Sequence, residues 1–157
     1  MKIGDILACR DEDSLISEAI CLITNSYYSH VGIIISNTQI VESDGVSGFV
    51  RYRDIEDYRG KAVIYTCDSL SDKQRQDIVY FAKKEVGRRY DRLLLLWLFV
   101  KYVFRLKLPY INDSSMICSE LVNKIFKSSI GIRLSKKRFP IPDDVINSKL
   151  LRFSENY

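Results

Sequence analysis

The sequence predicts an α+β domain built on a small, mostly antiparallel sheet, and three observations lead there. Strand-like segments rich in β-branched and aromatic residues crowd the first 67 positions, helical periodicity takes over from Ser71, and no repeat or Pro/Gly-rich linker divides the chain. With 157 residues, 46% hydrophobic and 28% charged, one domain spanning 1–157 is expected.

Ile3 to Cys9 reads as a short strand entered through Gly4-Asp5. From Ser14 to Ile23, the apolar Leu15, Ile16, Ala19, Ile20, Leu22 and Ile23 recur at helical spacing. Ser29 to Ile35 and Gln39 to Glu42 form a hairpin around Ser36-Asn37-Thr38, and Phe49 to Tyr52 and Ala62 to Cys67 are further strands. Ser71 opens a helix with Ile78, Val79, Phe81, Ala82 and Val86 on its apolar face and Gly87 as its stop. Leu93 to Phe104 reads as a second apolar helix, and Ser114-Ser115 caps a third that runs through Phe126.

Lys plus Arg number 24 against 20 for Asp plus Glu, without the dense basic stripe of a nucleic-acid binder, so no nucleic-acid partner is expected. The cysteines, Cys9, Cys21, Cys67 and Cys118, contain no close pair of the zinc-knuckle or redox type, and neither a metal nor a cofactor is expected. The opening MKIGDILACR lacks the basic segment and long apolar core of a secretory signal. The expected location is therefore cytoplasmic, where thiols stay reduced.

Against four cysteines stands one histidine, His30. On a strand, His30, Gly32 and Ile34 share a face. A three-residue turn that pairs Ile35 with Gln39 sets Glu42 opposite Gly32 and diagonal to His30, roughly 7–8 Å between backbones. A one-residue slip would turn Glu42 to the other face. A carboxylate beside an imidazole fixes its tautomer and raises its basicity, which is the orienting role in a nucleophile, base and orienter set. Among the thiols, Cys118 is the candidate nucleophile, because the first turn of a helix and an imidazolium partner both favour a thiolate. Each residue also has a plain structural reading: His30 as a surface or core side chain, Cys118 as a small buried hydrophobe, Glu42 as a solvated strand-end carboxylate.

Gly4-Asp5-Ile6-Leu7, Ser29-His30-Val31-Gly32-Ile33, Val41-Glu42-Ser43 and Cys118-Ser119-Glu120-Leu121-Val122, in that order, resemble the permuted, YiiX-like branch of the NlpC-like papain-fold superfamily. Gly87-Arg88-Arg89-Tyr90-Asp91 and Pro142-Asp143-Asp144 resemble two smaller motifs of the same family. In unpermuted members the cysteine helix precedes the histidine strand. The resemblance implies a papain-like, circularly permuted fold in which a small antiparallel sheet or half-barrel packs against helices, with the cysteine at a helix N-terminus. It implies a cysteine amidase or peptidase with Cys118 as nucleophile, His30 as base and Glu42 as orienter, acting on a small peptide or amino-acid amide of cell-wall type. The Cys118 backbone N–H is the natural oxyanion donor, with Tyr90 and Asp5 as candidate substrate-side groups; Asp5 also reads as a turn or cap residue.

Leu93 to Val100 is an unbroken apolar run, extended by Tyr102-Val103-Phe104 and flanked by Arg88, Arg89, Arg92, Lys101, Arg105 and Lys107. It is too short for an ordinary membrane span, which needs about 20 apolar residues. A buried helix is one reading. The other is a membrane-surface helix, with a lipid-directed acyltransferase or hydrolase as the alternative function. A non-catalytic binding module that kept the fold is the third.

Overall fold

The computed structural model describes residues 1–45, 47–89 and 117–157. The expected helix over 93–104, its flanking cations Arg92, Lys101, Arg105 and Lys107, Tyr90, Asp91 and the Ser114-Ser115 cap lie outside the described residues.

The strands are β1 (Ile6–Cys9), β2 (His30–Ile34), β3 (Gln39–Asp44), β4 (Phe49–Asp54), β5 (Ala62–Thr66) and β6 (Arg152–Asn156). They form one open sheet in the order β4-β3-β2-β1-β5-β6, with every pairing antiparallel. The sheet is not closed into a barrel. The helices are α1 (Leu15–Thr24), α2 (Asp72–Glu85), α3 (Cys118–Ile130) and α4 (Pro142–Ile146), with a 3-10 turn at Ile55–Tyr58 after β4.

Strand alternation feeds two apolar clusters. Ile6, Ala8, Val31, Ile33 and Val41 pack with Ile78 and Ala82 of α2, Leu121, Val122 and Phe126 of α3, and Val145 of α4. Leu7, Cys9, Ile34, Ile40 and Ile64 gather with Ile55 and Tyr58 of the 3-10 turn.

Three elements differ from the sequence expectation. Among the described side chains of α1 the buried ones are Ser17, Cys21 and Thr24, while Leu15 and Leu22 are 84% and 82% exposed. Hydrogen bonds decide this orientation: Ser17 Oγ donates to Ser29 Oγ at 2.7 Å and accepts from the Asp11 backbone N–H at 3.0 Å. α3 runs past Phe126 to Ile130, where Gly131 stops it at φ 77°, a left-handed conformation favouring glycine. β6 was not expected, because an edge strand with Phe153 half in solvent carries little alternation.

The central hairpin has the register that a three-residue turn implies, pairing Gly32 with Glu42, Ile33 with Val41 and Ile34 with Ile40. Gly32 makes this approach possible: a Cβ there would lie 3.0 Å from Ile40 Cδ1 and 3.2 Å from the Val41 carbonyl oxygen. Gly32→Ala should therefore cost about 1–3 kcal/mol through overpacking, read as a lower denaturant midpoint at unchanged slope. An unchanged midpoint would mean that the strands separate freely at this point.

Candidate active site

His30 is the first residue of β2, and the loop before it is tied down from three sides. Asp143, at the start of α4, accepts from Ser26 Oγ and the Tyr27 and Tyr28 backbone N–H groups at 2.7, 2.7 and 3.1 Å. The Ser29 backbone N–H and hydroxyl both donate to the Cys9 carbonyl, and Ser29 Oγ meets Ser17. The imidazole is thus held by a rigid strand entry, with 20% of its side chain exposed.

Glu42 is 1% exposed and lies diagonally across from His30, with Oε2 at 2.9 Å from Nε2. Gly32, between them, leaves the gap open. The carboxylate has more partners than the sequence suggested. Oε2 also accepts from the Tyr58 hydroxyl, while Oε1 accepts from Arg51 Nε at 3.2 Å and lies 3.8 Å from Arg53 Nη1. Burial works against ionisation, yet the His30 hydrogen bond and charge, the Tyr58 hydroxyl and Arg53 hold the carboxyl down at about 2.

Cys118 opens α3 and is 6% exposed. Its residue before, Ile117, stands at the N-cap and has no side-chain acceptor, unlike Ser14 of α1 and Ser71 of α2. Glu120 instead reaches back to the Ile117 N–H at 3.1 Å, and Ser119 Oγ donates to the Pro140 carbonyl at 2.5 Å. These bonds fix the helix start and leave first-turn N–H groups for an outside acceptor. The Cys118 thiol interacts electrostatically with the His30 ring. With Nε2 turned to Glu42, Nδ1 is the nitrogen that remains for the sulfur. Burial alone lowers the basicity of His30; negative charge on Cys118, hydrogen bonding to that sulfur and to Glu42, and the Glu42 charge together raise its pKa well above 6.5.

The structure therefore brings His30, Glu42 and Cys118 together. Asp5 is elsewhere. It sits four residues from Cys9, the partner of His30 on β1, so about 13 Å along the strand from the site. Its buried carboxylate accepts from Arg75 Nη1 at 2.7 Å, Thr66 Oγ1 at 2.6 Å and the Lys2 N–H at 2.7 Å, which corrects the substrate-side expectation to a structural one. Tyr58, Arg51, Arg53 and Asp143 were missed as site neighbours. The Glu42 and Arg51 pair, directly opposite on β3 and β4, is a cross-strand signal that the alternation of Arg51 and Arg53 carried.

A groove of about 600 Å³ opens at the His30 end of the sheet, bordered by Arg10, Asp11, Tyr27, Tyr28, Lys61 and Tyr157. Its walls are polar and aromatic. Arg10 lies 5.4 Å over the Tyr27 ring, and Lys61 pairs with Asp11 at 3.0 Å.

Known proteins share this architecture. The crystal structure of the metalloprotein YiiX from Escherichia coli O157:H7 is similar with a TM-score of 0.73, at 23% identity, over 99% of this chain and 97% of that one. The uncharacterized protein YiiX of Escherichia coli strain K12 is 26% identical over 164 aligned positions, covering 98% of this chain and 73% of its relative. A model of the permuted papain-like amidases matches residues 1–148, a span that takes in the histidine strand, the buried acid and the cysteine helix in their permuted order. On that match the chain belongs to the permuted papain-like amidase family, YaeF/YiiX, C92.

Proposed function

We propose that the protein is a cysteine amidase that cleaves an amide bond in a small peptide of cell-wall type through Cys118, His30 and Glu42. The observation that carries this reading is the imidazole of His30, set between a buried carboxylate and the sulfur of a helix-opening cysteine. Cys118 passes its proton to His30, and the thiolate attacks the carbonyl carbon while the C=O electron pair moves to oxygen. The Cys118 backbone N–H donates to that oxyanion. Collapse expels the amine, which takes the proton from His30, and leaves a thioester. Water, deprotonated by His30, then attacks the thioester, releasing the acid and restoring the thiol. Glu42 holds the ring orientation throughout.

The groove at the His30 end of the sheet, whose lining includes both signs of charge and three tyrosines but not the three site residues themselves, suits a peptide better than an acyl chain. Among the described residues no helix is long and apolar enough to cross a membrane. The Escherichia coli neighbour is described as a metalloprotein. Here no three His, Cys, Asp or Glu side chains among the described residues are grouped to hold a metal ion, and the proposed steps use none.

The test is a paired assay of wild type and Cys118→Ala on a short γ-glutamyl peptide and on phosphatidylcholine/phosphatidylglycerol vesicles, with products read by mass spectrometry. Cys118-dependent peptide cleavage is expected. Cys118-dependent lipid cleavage alone would move the assignment to the lipid reading suggested by the apolar 93–104 run. No turnover together with an unreactive Cys118 would favour a binding module.

A further inference from the structure

Tyr58 is bound to the acid of the site, yet none of the steps above uses it. It sits in the 3-10 turn after β4, and its residue is 8% exposed. Its hydroxyl donates to Glu42 Oε2, the same oxygen that faces His30 Nε2. Its ring lies parallel to the imidazole, with centroids 6.2 Å apart and planes at 10°, and Arg53 stands 5.4 Å over it. One side chain thus touches the acid chemically and the base geometrically.

We propose that Tyr58 is a positioning residue of this active site, which shares Glu42 Oε2 with His30 and so limits how strongly the carboxylate holds the imidazolium. The inference rests on the reading of His30 as the base of Cys118. Burial and the Glu42 charge push the phenol far above its ordinary range, so it remains a proton donor to Oε2 at every working pH. An oxygen that accepts from two donors offers each less than it would offer one. Losing the hydroxyl leaves Oε2 to His30 alone, favours the charged ring and raises the His30 pKa. Too tight a hold on that proton slows its delivery to the leaving amine, which gives the hydroxyl a kinetic purpose.

Among the described residues, the groups facing His30 are Glu42 from β3, Tyr58 from the 3-10 turn, Cys9 from β1 and Cys118 from α3. Arg51 and Arg53 from β4 face Glu42. Burial pushes the Cys9 thiol up to about 11, so it stays neutral while His30 titrates.

Because the chain has one histidine, a single imidazole Cε1–H resonance reports His30. Titration by NMR in a Cys118→Ala background isolates the His30, Glu42 and Tyr58 coupling from the thiolate. Tyr58→Phe, which keeps the ring, should raise the His30 pKa by about half a unit to one unit. In a Glu42→Gln background the same change should have no effect. An unchanged pKa in folded Tyr58→Phe protein, or an equal shift without the carboxylate, overturns the proposal. Selective alkylation of Cys118 in the wild-type chain tests the underlying reading separately: its absence refutes the hydrolase, whereas its presence beside an unmoved His30 titration refutes Tyr58 alone.

Discussion

Cys118→Ala should abolish labelling of the folded protein by iodoacetamide at low equivalents, while Cys9→Ala, Cys21→Ala and Cys67→Ala leave it in place. The contrast follows from where each sulfur sits. Burial holds the Cys9 thiol at about 11. At pH 7 a thiol of that acidity is thiolate in only about one molecule in ten thousand. Burial also raises Cys21, and Cys67 is 3% exposed against Ser69 Oγ at 3.3 Å. Cys118 alone is paired with an imidazole and sits on a helix N-terminus. His30→Ala should slow the labelling and any amide turnover by roughly 10²–10⁴-fold, the usual worth of a positioned base. Equal labelling of all four cysteines in folded protein would end the assignment.

The second large effect concerns stability. Asp5→Ala should destabilise the fold by about 3–5 kcal/mol, because it strands a buried guanidinium. Arg75, with a side chain 5% exposed, donates to Asp5, to the Ile3 and Cys67 carbonyls and to Thr66, and so joins the N-terminus, the end of β5 and α2. In a chain of this size the loss corresponds to a Tm about 6–20 °C lower. Replacing both partners by apolar residues, Asp5→Leu with Arg75→Met, should recover much of it, since no unpaired charge is left. The rate of Cys118 alkylation, measured where the variant is folded, should be unchanged. A slower rate at full stability would return Asp5 to the site.

The readable part of this molecule was the part set by short-range geometry. A three-residue turn and strict alternation fix which residue faces Gly32, so the approach of Glu42 to His30 followed from the hairpin. The cysteine helix was readable as a segment, although its start depends on Glu120 rather than on a serine cap. What escaped depends on contacts between distant elements. Tyr58 joins the site because the chain after β4 folds its turn back over β3, and nothing in Ile55-Glu56-Asp57-Tyr58 announces that destination. Likewise α1 hides Ser17, Cys21 and Thr24 and leaves leucines in water, because hydrogen-bond partners on the neighbouring loop outweigh apolar area there. Asp5 was misplaced for the same reason: its partner Arg75 lies on α2, far along the chain.

The permuted order also sets when the site comes into being. His30 and Glu42 meet through a hairpin of neighbouring strands, a local contact of the kind that closes early. The sulfur rides on α3, beyond β4, β5 and α2. On the proposed roles, a ribosome therefore completes the base and its acid before it adds the nucleophile. At that stage the thiol beside the imidazole is Cys9, its cross-strand partner on β1, which burial pushes up to about 11. Cys118 is then added against strands and a helix that precede it in the chain, so on the proposed roles the nucleophile is the last member of the site to be synthesised.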